Sequence, residues 1–164
     1  MVVLNHYQVS HKIQRLAFEI LENSLSDPEI VLLGINKNGY RFAQLLHTIL
    51  TANSEKPIFL YKLSLNPSSP LENDIKVDVD TARLKDRKVI IVDDVANTGR
   101  TLFYAFTAIM DVLLPCVEVA VLVDRKHKKF PVMVDYVGLS LATTMQEHIK
   151  AHINDASNMT VELI

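Results

Sequence analysis

Apolar residues occur along the chain in two patterns, short continuous runs and longer segments with helical spacing. The continuous runs predict strands buried on both faces, as in parallel sheets, at 30–33, 58–65, 89–92, 117–123 and, as a short strand, 136–138. The helical spacing predicts three amphipathic helices, with their apolar positions at 9–21, 42–50 and 102–110. This alternation of strands and helices predicts right-handed βαβ units and a parallel sheet.

Two regions lack a continuous pattern of either kind. Residues 66–80 contain two prolines, two serines and scattered acidic residues, which predicts a mobile loop or a pair of short strands. The tail alternates at Ile149, Ala151 and Ile153 and ends in the run 161–164. This period of two predicts two edge strands rather than a helix.

Composition and charge change this picture little. The chain has 164 residues, 49% of them hydrophobic, which predicts one domain with a core that needs no disulfides. Cys116 is the one cysteine, as is usual in a reducing cytoplasm. The net charge of −2 calls for neither nucleic acid nor a membrane as partner. Every apolar run is much shorter than the about 18 residues that a membrane-spanning helix needs. The apolar stretch at the start of the chain is also too short for a signal sequence. We therefore expect a cytoplasmic protein.

The candidate chemistry follows the apolar run 89–92 directly. Ligands of parallel sheets bind beyond the carboxyl ends of the strands, and here Asp93 and Asp94 come first, followed by Thr-Gly-Arg-Thr at 98–101 and the third helix. The amino end of a helix offers unpaired N–H groups and partial positive charge, so it binds phosphate. Gly99 permits a tight turn and close approach of the backbone to an anion. The segment therefore predicts an anion site beside two carboxylates.

Asp93 and Asp94 are suited to accept hydrogen bonds from the hydroxyls of a ribose, or to help hold a hydrated Mg²⁺. A phosphate site and a diol site several ångströms apart describe a ribose 5-phosphate. Acid pairs at strand ends also occur in Walker-B sites and in phospho-acceptor domains. The chain lacks G-x-x-x-x-G-K-[ST], which argues against a P-loop NTPase, and a phospho-acceptor has no need of the cradle at 98–101.

Residues 89–101 resemble the 5-phosphoribosyl-1-pyrophosphate (PRPP) signature of type I phosphoribosyltransferases: four apolar residues, two acids and a Thr-Gly-x-Thr loop. Residues 33–39 resemble the pyrophosphate loop of one branch, the PyrR-like uracil phosphoribosyltransferases and pyrimidine-operon attenuators. The segments 121–127 and 134–138 resemble the parts of that branch near the base.

The resemblance implies an α/β fold of the type I phosphoribosyltransferase kind, with a parallel β-sheet core flanked by helices and a small hood. The whole chain, 1–164, would form this single domain, and the hood would be built from about 1–10 and 139–164.

The resemblance also implies roles for individual residues. Asp93 and Asp94 would hold the ribose hydroxyls, directly or through Mg²⁺. The 5′-phosphate would be wrapped by Ala96, Asn97, Thr98, Gly99, Arg100 and Thr101. The pyrophosphate loop would comprise Asn36, Lys37, Asn38 and Gly39. The base-side residues would be Arg125, Tyr136 and Val137, with Val137 offering its backbone edges and Arg125 either reaching the base or pyrophosphate or lying at the surface.

The activity implied is transfer of the phosphoribosyl group from PRPP to a nucleobase, with uracil expected, release of pyrophosphate and Mg²⁺ as cofactor. Such a reaction builds charge on the leaving group and on an oxocarbenium-like ribose, so catalysis rests on placement and electrostatics. The ligands would be PRPP and a nucleobase or nucleoside monophosphate, and a homodimer or larger assembly is expected.

Departures from the family pattern leave an alternative open. The branch usually has a basic residue before the second glycine of its pyrophosphate loop, where this chain has Asn38. Family members also close a loop bearing arginine or lysine over the pyrophosphate, but residues 66–74 contain no basic residue. Lys62, Lys76 or a partner subunit would then substitute. The alternative is a catalytically weak nucleotide- or PRPP-binding regulator.

RNA attenuation is the least favoured function. Attenuators of this branch bind messenger RNA through a basic surface. Polar positions of their first helix are Gln14 and Phe18 here, and basic positions of their base-side segment are Met133 and Leu139, with Lys128 retained. Fewer cations mean weaker contacts to phosphates. RNA binding by this chain is therefore an open but disfavoured expectation.

Overall fold

A computed structural model describes residues 1–144 and 146–164 of the chain. The strands are β1 (Val2–Leu4), β2 (Ile30–Ile35), β3 (Ile58–Ser64), β4 (Lys76–Val77), β5 (Val89–Ala96), β6 (Val117–Arg125), β7 (Tyr136–Leu141), β8 (Ile149–His152) and β9 (Thr160–Leu163). The helices are α1 (His6–Glu22), α2 (Asn36–Ala52) and α3 (Arg100–Ala105), with 3₁₀ turns at Thr81–Leu84 and Phe106–Ile109. Over the residues described, each helix is too short or too polar to cross a membrane.

The main sheet has the order β4-β3-β2-β5-β6-β7. All its neighbouring strands are parallel except β4, which is antiparallel to β3. Every residue of β2 is buried, because helices cover both faces of a parallel sheet. This confirms the predicted α/β class. It also places the carboxyl ends of the adjacent strands β2 and β5 side by side.

The two faces of the sheet have separate apolar cores. Leu32 of β2 and Ile90 of β5 lie in the core shared with α1 and α2, whereas Leu33 and Ile91 lie in the core shared with α3. Successive residues of a strand point to opposite faces, so each central strand contributes to both cores. The sheet is therefore fixed between two apolar layers, and its polar chemistry is confined to the strand ends.

Local sequence explains where the helices begin and end. Asn5 caps α1 by accepting from the Gln8 amide, while the Gln8 side chain accepts from the Asn5 amide, which is a capping box. The predicted third helix is interrupted, because α3 ends at Ala105 and continues as a 3₁₀ turn. The Thr107 hydroxyl donates to the Tyr104 carbonyl at 2.7 Å, and such side-chain bonds compete with regular helix formation.

A second sheet is formed by the two ends of the chain, in the antiparallel order β1-β9-β8. We call it the hood sheet. Its strands β8 and β9 confirm that the tail forms two strands, but of the two edge strands predicted only β8 lies at an edge, because β9 is paired on both sides. β8 lies against β5 of the main sheet. Residues 139–141 were expected in the hood, but they continue β7 in the main sheet. The hood sheet therefore borders the carboxyl ends of the central strands.

The region 66–80 contains the short strand β4, in which Val77 pairs with Leu63 and Lys76 with Ser64. Residues 66–75 form neither helix nor strand. The structure thus combines the two options that the sequence left open, a loop followed by one short strand.

A buried ionic cluster lies near the amino end of the main sheet, remote from the hood sheet. The Lys88 side chain is 4% exposed, and its Nζ lies 2.6 Å from Glu118 Oε1. The same Nζ donates to the Asn23 carbonyl at 2.8 Å and to Ser24 Oγ at 3.0 Å. These contacts satisfy all three donors of the ammonium group, so the cluster joins the end of α1 to β5 and β6.

Candidate active site

A cavity of about 380 Å³ opens at the carboxyl ends of β2 and β5. It is bordered by α2, by the loop after β5 and by β8 of the hood sheet. A smaller cavity of about 50 Å³ adjoins it within that loop. Both cavities are lined by Asp93, Val95, Asn97 and Thr101. The predicted acids and the predicted anion loop therefore share one connected space.

Asp93 and Asp94 form a closely coupled acid pair. Asp93 is 8% exposed, and its Oδ1 accepts from the Asp94 amide at 2.9 Å. Burial, followed by the charge of Asp94, raises the pKa of Asp93 well above its usual value. Burial also raises the pKa of Asp94, opposed by hydrogen bonds that include one from the Asn38 side chain. The pair lacks solvation, so it favours a ligand that donates hydrogen bonds or carries positive charge.

The segment 96–101, which runs from the end of β5 into the first residues of α3 and which we call the cup, surrounds the smaller cavity. Gly99 has φ +84 and starts α3, a backbone geometry that glycine adopts without steric cost. The Arg100 amide donates to Thr98 Oγ1 at 3.3 Å. Because α3 has only six residues, an anion in the smaller cavity would be bound by loop N–H groups more than by a helix macrodipole.

The predicted pyrophosphate loop lies across the larger cavity from the cup. Asn36, Lys37 and Asn38 line that cavity. Asn36 has φ +52, and its Oδ1 accepts from the Leu65 amide at 3.0 Å. A side chain at Gly39 would place its Cβ 2.7 Å from the Val92 carbonyl oxygen and 3.0 Å from Asp93 Oδ1. Glycine is therefore needed there for the first turn of α2 to approach the acid pair.

Tyr136 and Val137, which were predicted to lie near the base, do not line the larger cavity. Tyr136 is 1% exposed in the core beneath α1, and its hydroxyl donates to Glu118 at 3.0 Å. The Val137 carbonyl accepts from Arg15, and Val137 does not line the cavity. The physical reason is strand length: β7 continues to Leu141, so its carboxyl end lies beyond these residues.

Arg125 lies at the carboxyl end of β6, opposite Leu141. Its guanidinium donates to the Thr144 carbonyl, and it does not line the cavity either. The Nε of Arg125 is buried and has no hydrogen-bond partner among the residues that the structure describes, so Arg125 is not a freely exposed surface arginine.

Sequence reasoning missed the hood side of the site. Ile149, Lys150 and Ala151 of β8 line the larger cavity, as does Pro67. β8 is an edge strand, and His148 exchanges both backbone hydrogen bonds with Ile164 of the neighbouring segment. In an antiparallel pair, the residues that lie between two hydrogen-bonded positions point their N–H and C=O groups away from the partner strand. A lysine within the alternating apolar tail was the only signal of this wall in the sequence.

The chain resembles known proteins over nearly its whole length. The family model described as "Phosphoribosyl transferase domain" matches residues 3–154. The bifunctional protein PyrR of Clostridium perfringens (strain 13 / Type A) is 36% identical, over 93% of this chain and 90% of that protein. The bifunctional protein PyrR of Pediococcus pentosaceus is 30% identical, over 99% of this chain and 97% of that protein.

Solved structures agree with the fold. The hypoxanthine phosphoribosyltransferase of Trypanosoma cruzi has a TM-score of 0.79 at 16% identity, covering 98% of this chain and 95% of that one. A hypoxanthine-guanine phosphoribosyltransferase of Bacillus anthracis, with a HEPES molecule in its active site, has a TM-score of 0.76 at 20% identity, covering 99% and 96%. The chain therefore belongs to the phosphoribosyltransferase family and is a type I phosphoribosyltransferase of the PyrR-like branch.

Proposed function

We propose that this protein transfers the 5-phosphoribosyl group of PRPP to uracil, with release of pyrophosphate. The observation that carries the proposal is the convergence of an acid pair, a backbone cup and the 36–39 loop on one cavity. Uracil is favoured by the PyrR-like resemblance of residues 33–39 and 121–127, whereas the solved structures with similar folds are named for hypoxanthine and guanine.

Asp93 and Asp94 accept hydrogen bonds from the ribose hydroxyls in this proposal. Their poor solvation and acceptor-only chemistry also suit Mg²⁺, which when bound would neutralise charge on the pyrophosphate. Among the described residues, no three His, Cys, Asp or Glu side chains converge on one point. The acids would therefore contact the ion directly or through water, with its remaining ligands from solvent and substrate.

The cup holds the 5′-phosphate through its backbone N–H groups and the Thr101 hydroxyl. These donors fix one end of the sugar, and the acid pair fixes its diol. Once both contacts form, C1 is held within the larger cavity, between the 36–39 loop and the hood sheet. Holding the reacting groups in place in this way is worth several kcal/mol of barrier.

The free edge of β8 recognises the base, in place of the predicted Tyr136 and Val137. Ile149 and Ala151 line the cavity, and their outward N–H and C=O groups alternate along the edge. Uracil presents an acceptor, a donor and an acceptor on its O2, N3 and O4 edge. A backbone edge of this kind matches such a pattern without charged side chains.

Two lysines compensate for the missing cations on the pyrophosphate side. Residues 66–74 contain no basic residue, but Lys37 and Lys150 line the cavity from opposite sides. Lys37→Met and Lys150→Met are each expected to weaken PRPP and pyrophosphate binding by at least about 10-fold, since a hydrogen bond to a charged group is worth about 1.5–3 kcal/mol. Isothermal titration with pyrophosphate measures this directly.

The control for both variants is Lys85→Met, an exposed lysine outside the cavity, which should bind pyrophosphate like the unaltered protein. Uridine monophosphate lacks the pyrophosphate group, so its affinity should change little in any of the three. A loss for uridine monophosphate as large as the loss for pyrophosphate would contradict this assignment of the lysines.

The main test measures the release of pyrophosphate from PRPP in the presence of Mg²⁺ and of uracil, hypoxanthine or guanine. We expect turnover with uracil and little with either purine. Turnover with a purine but not with uracil would refute uracil as the base, but it would still support a phosphoribosyltransferase. No turnover with any base, together with tight binding of PRPP or a nucleotide, would favour the catalytically weak regulator. The observation that supports this alternative is the absence of basic residues from the loop at 66–74.

The remaining expectations concern partners and location. The named relatives are described as bifunctional, so RNA binding stays a secondary proposal, tested by the salt dependence of binding to RNA. A homodimer or larger assembly in the cytoplasm is also proposed. Sedimentation equilibrium tests the assembly.

A further inference from the structure

The cup is held from outside by the segment between β6 and β7. The Thr98 carbonyl oxygen accepts two backbone hydrogen bonds, from the Lys129 amide at 2.9 Å and from the Phe130 amide at 3.1 Å. Both lone pairs of this oxygen are therefore occupied by one short segment of the chain. That segment, residues 126–130, takes no part in the contacts assigned above to sugar, phosphate or base. We call it the brace.

The direction of the Thr98 carbonyl decides the direction of the next N–H group. A trans peptide is planar, so its C=O and N–H point to opposite sides. Because the Thr98 carbonyl points to the brace, the Gly99 amide points the other way, towards the smaller cavity that both residues line. The brace thereby keeps a donor aimed at the position of the phosphate.

This orientation needs support because Gly99 has φ +84. Glycine occupies several backbone regions at similar free energy, so the peptide between Thr98 and Gly99 is free to rotate unless something holds it. A rotated peptide would aim the Thr98 carbonyl oxygen at the phosphate. Repulsion between that oxygen and the anion would replace an attractive hydrogen bond.

The brace is itself anchored by side chains. The Phe130 ring lies 5.3 Å from the Phe103 ring and 6.2 Å from the Tyr104 ring, centroid to centroid. The Lys128 ammonium group pairs with Asp124 and donates to the Arg125 carbonyl at 2.6 Å. These contacts tie the brace to α3 on one side and to β6 on the other, so its amides cannot move freely.

We propose that the brace, anchored through Phe130, is a positioning element that holds the Gly99 amide of the cup towards the 5′-phosphate. Phe130 is a positioning residue in this account, since it acts through Thr98 and touches no substrate. The inference rests on the proposed role of the cup in binding a 5′-phosphate. It does not depend on which base is transferred.

Phe130→Ala tests the inference with ribose 5-phosphate as a probe that carries no base. The variant removes the contacts with Phe103 and Tyr104, and we expect ribose 5-phosphate to bind at least 10-fold more weakly. Phe130→Leu retains an apolar anchor and should recover most of the affinity. The Gly99 amide resonance, observed by nuclear magnetic resonance, should shift on ligand binding less in Phe130→Ala than in the unaltered protein.

Phe59→Ala is the matched control, because Phe59 is also half-buried and stacked against another aromatic ring, that of Tyr61. It should lower the melting temperature and leave ribose 5-phosphate affinity unchanged. Equal affinities of Phe130→Ala and the unaltered protein would overturn the brace and leave the proposed function intact. No binding of ribose 5-phosphate or PRPP by the unaltered protein would overturn both.

Discussion

Asp93→Asn combined with Asp94→Asn is expected to abolish phosphoribosyl transfer while raising the melting temperature of the unliganded protein. Turnover should fall at least about 1,000-fold, since under the proposed function the variant loses the charge that faces the sugar and the developing positive centre. Stability should rise because the raised pKa of Asp93 means that its ionised form is disfavoured by folding. Asparagine keeps a similar shape and removes that cost.

The raised pKa of Asp93 also predicts how the stability of the protein depends on pH. A carboxyl whose pKa is higher in the folded than in the unfolded state favours unfolding as pH rises from its ordinary value through the raised one. The free energy of unfolding of the unaltered protein should therefore fall across this range through Asp93, and the double variant should lack that contribution. Urea titrations at several pH values measure it.

The control for the acid pair is Asp74→Asn, because the Asp74 side chain is 85% exposed. It should change neither turnover nor the melting temperature appreciably. An unchanged affinity for PRPP in the double variant would refute the role of the acid pair. A large fall in its melting temperature would instead show that the two charges stabilise the folded chain.

Lys88→Met should destabilise the protein by about 3–5 kcal/mol, the usual cost of removing one partner of a buried ion pair. It leaves Glu118, which also accepts from the Tyr136 hydroxyl, without its cation. Lys88 lies directly before β5, and the cavity lies at the other end of that strand. The kcat of the variant should therefore be unchanged at temperatures where it is folded. Urea denaturation and steady-state kinetics separate the two effects.

Arg87→Met is the neighbouring control. Arg87 pairs with Glu29 at 2.8 Å, but both side chains are partly exposed, and such pairs contribute about 1 kcal/mol or less. A second variant, Lys88→Met with Glu118→Gln, should regain part of the lost stability, because the uncompensated charge is removed. If Lys88→Met costs no more than Arg87→Met, the buried cluster has no special role in stability.

The sequence was most informative where structure depends on neighbours along the chain. The run 89–92, the acids that follow and Gly99 lie within thirteen residues, so strand, acid pair and turn could be predicted from local pattern. Their positions at the carboxyl end of β5 agree with that prediction. The parallel sheet followed from the continuous apolar runs for the same reason.

Pairing between distant segments could not be predicted in this way. The position of Tyr136 within β7 could not be predicted because the end of β7 depends on its pairing with β6 out to Arg125, and an apolar run of a few residues does not define a strand end. The wall formed by Lys150 was missed because it depends on β1 pairing with β9 and β9 with β8. The brace depends on backbone contacts between Thr98 and a loop about thirty residues further on, which leave no compositional signal.

The hood sheet has a consequence for synthesis on the ribosome. β9 lies between β1 and β8, so the wall of the cavity cannot be placed until β9 has left the exit tunnel and paired with β1. Such distant pairing is slow relative to local helix formation. Nascent chains should therefore remain unable to capture nucleotide until β9 has emerged and paired, and ligand present in the cell would then favour completion of that pairing.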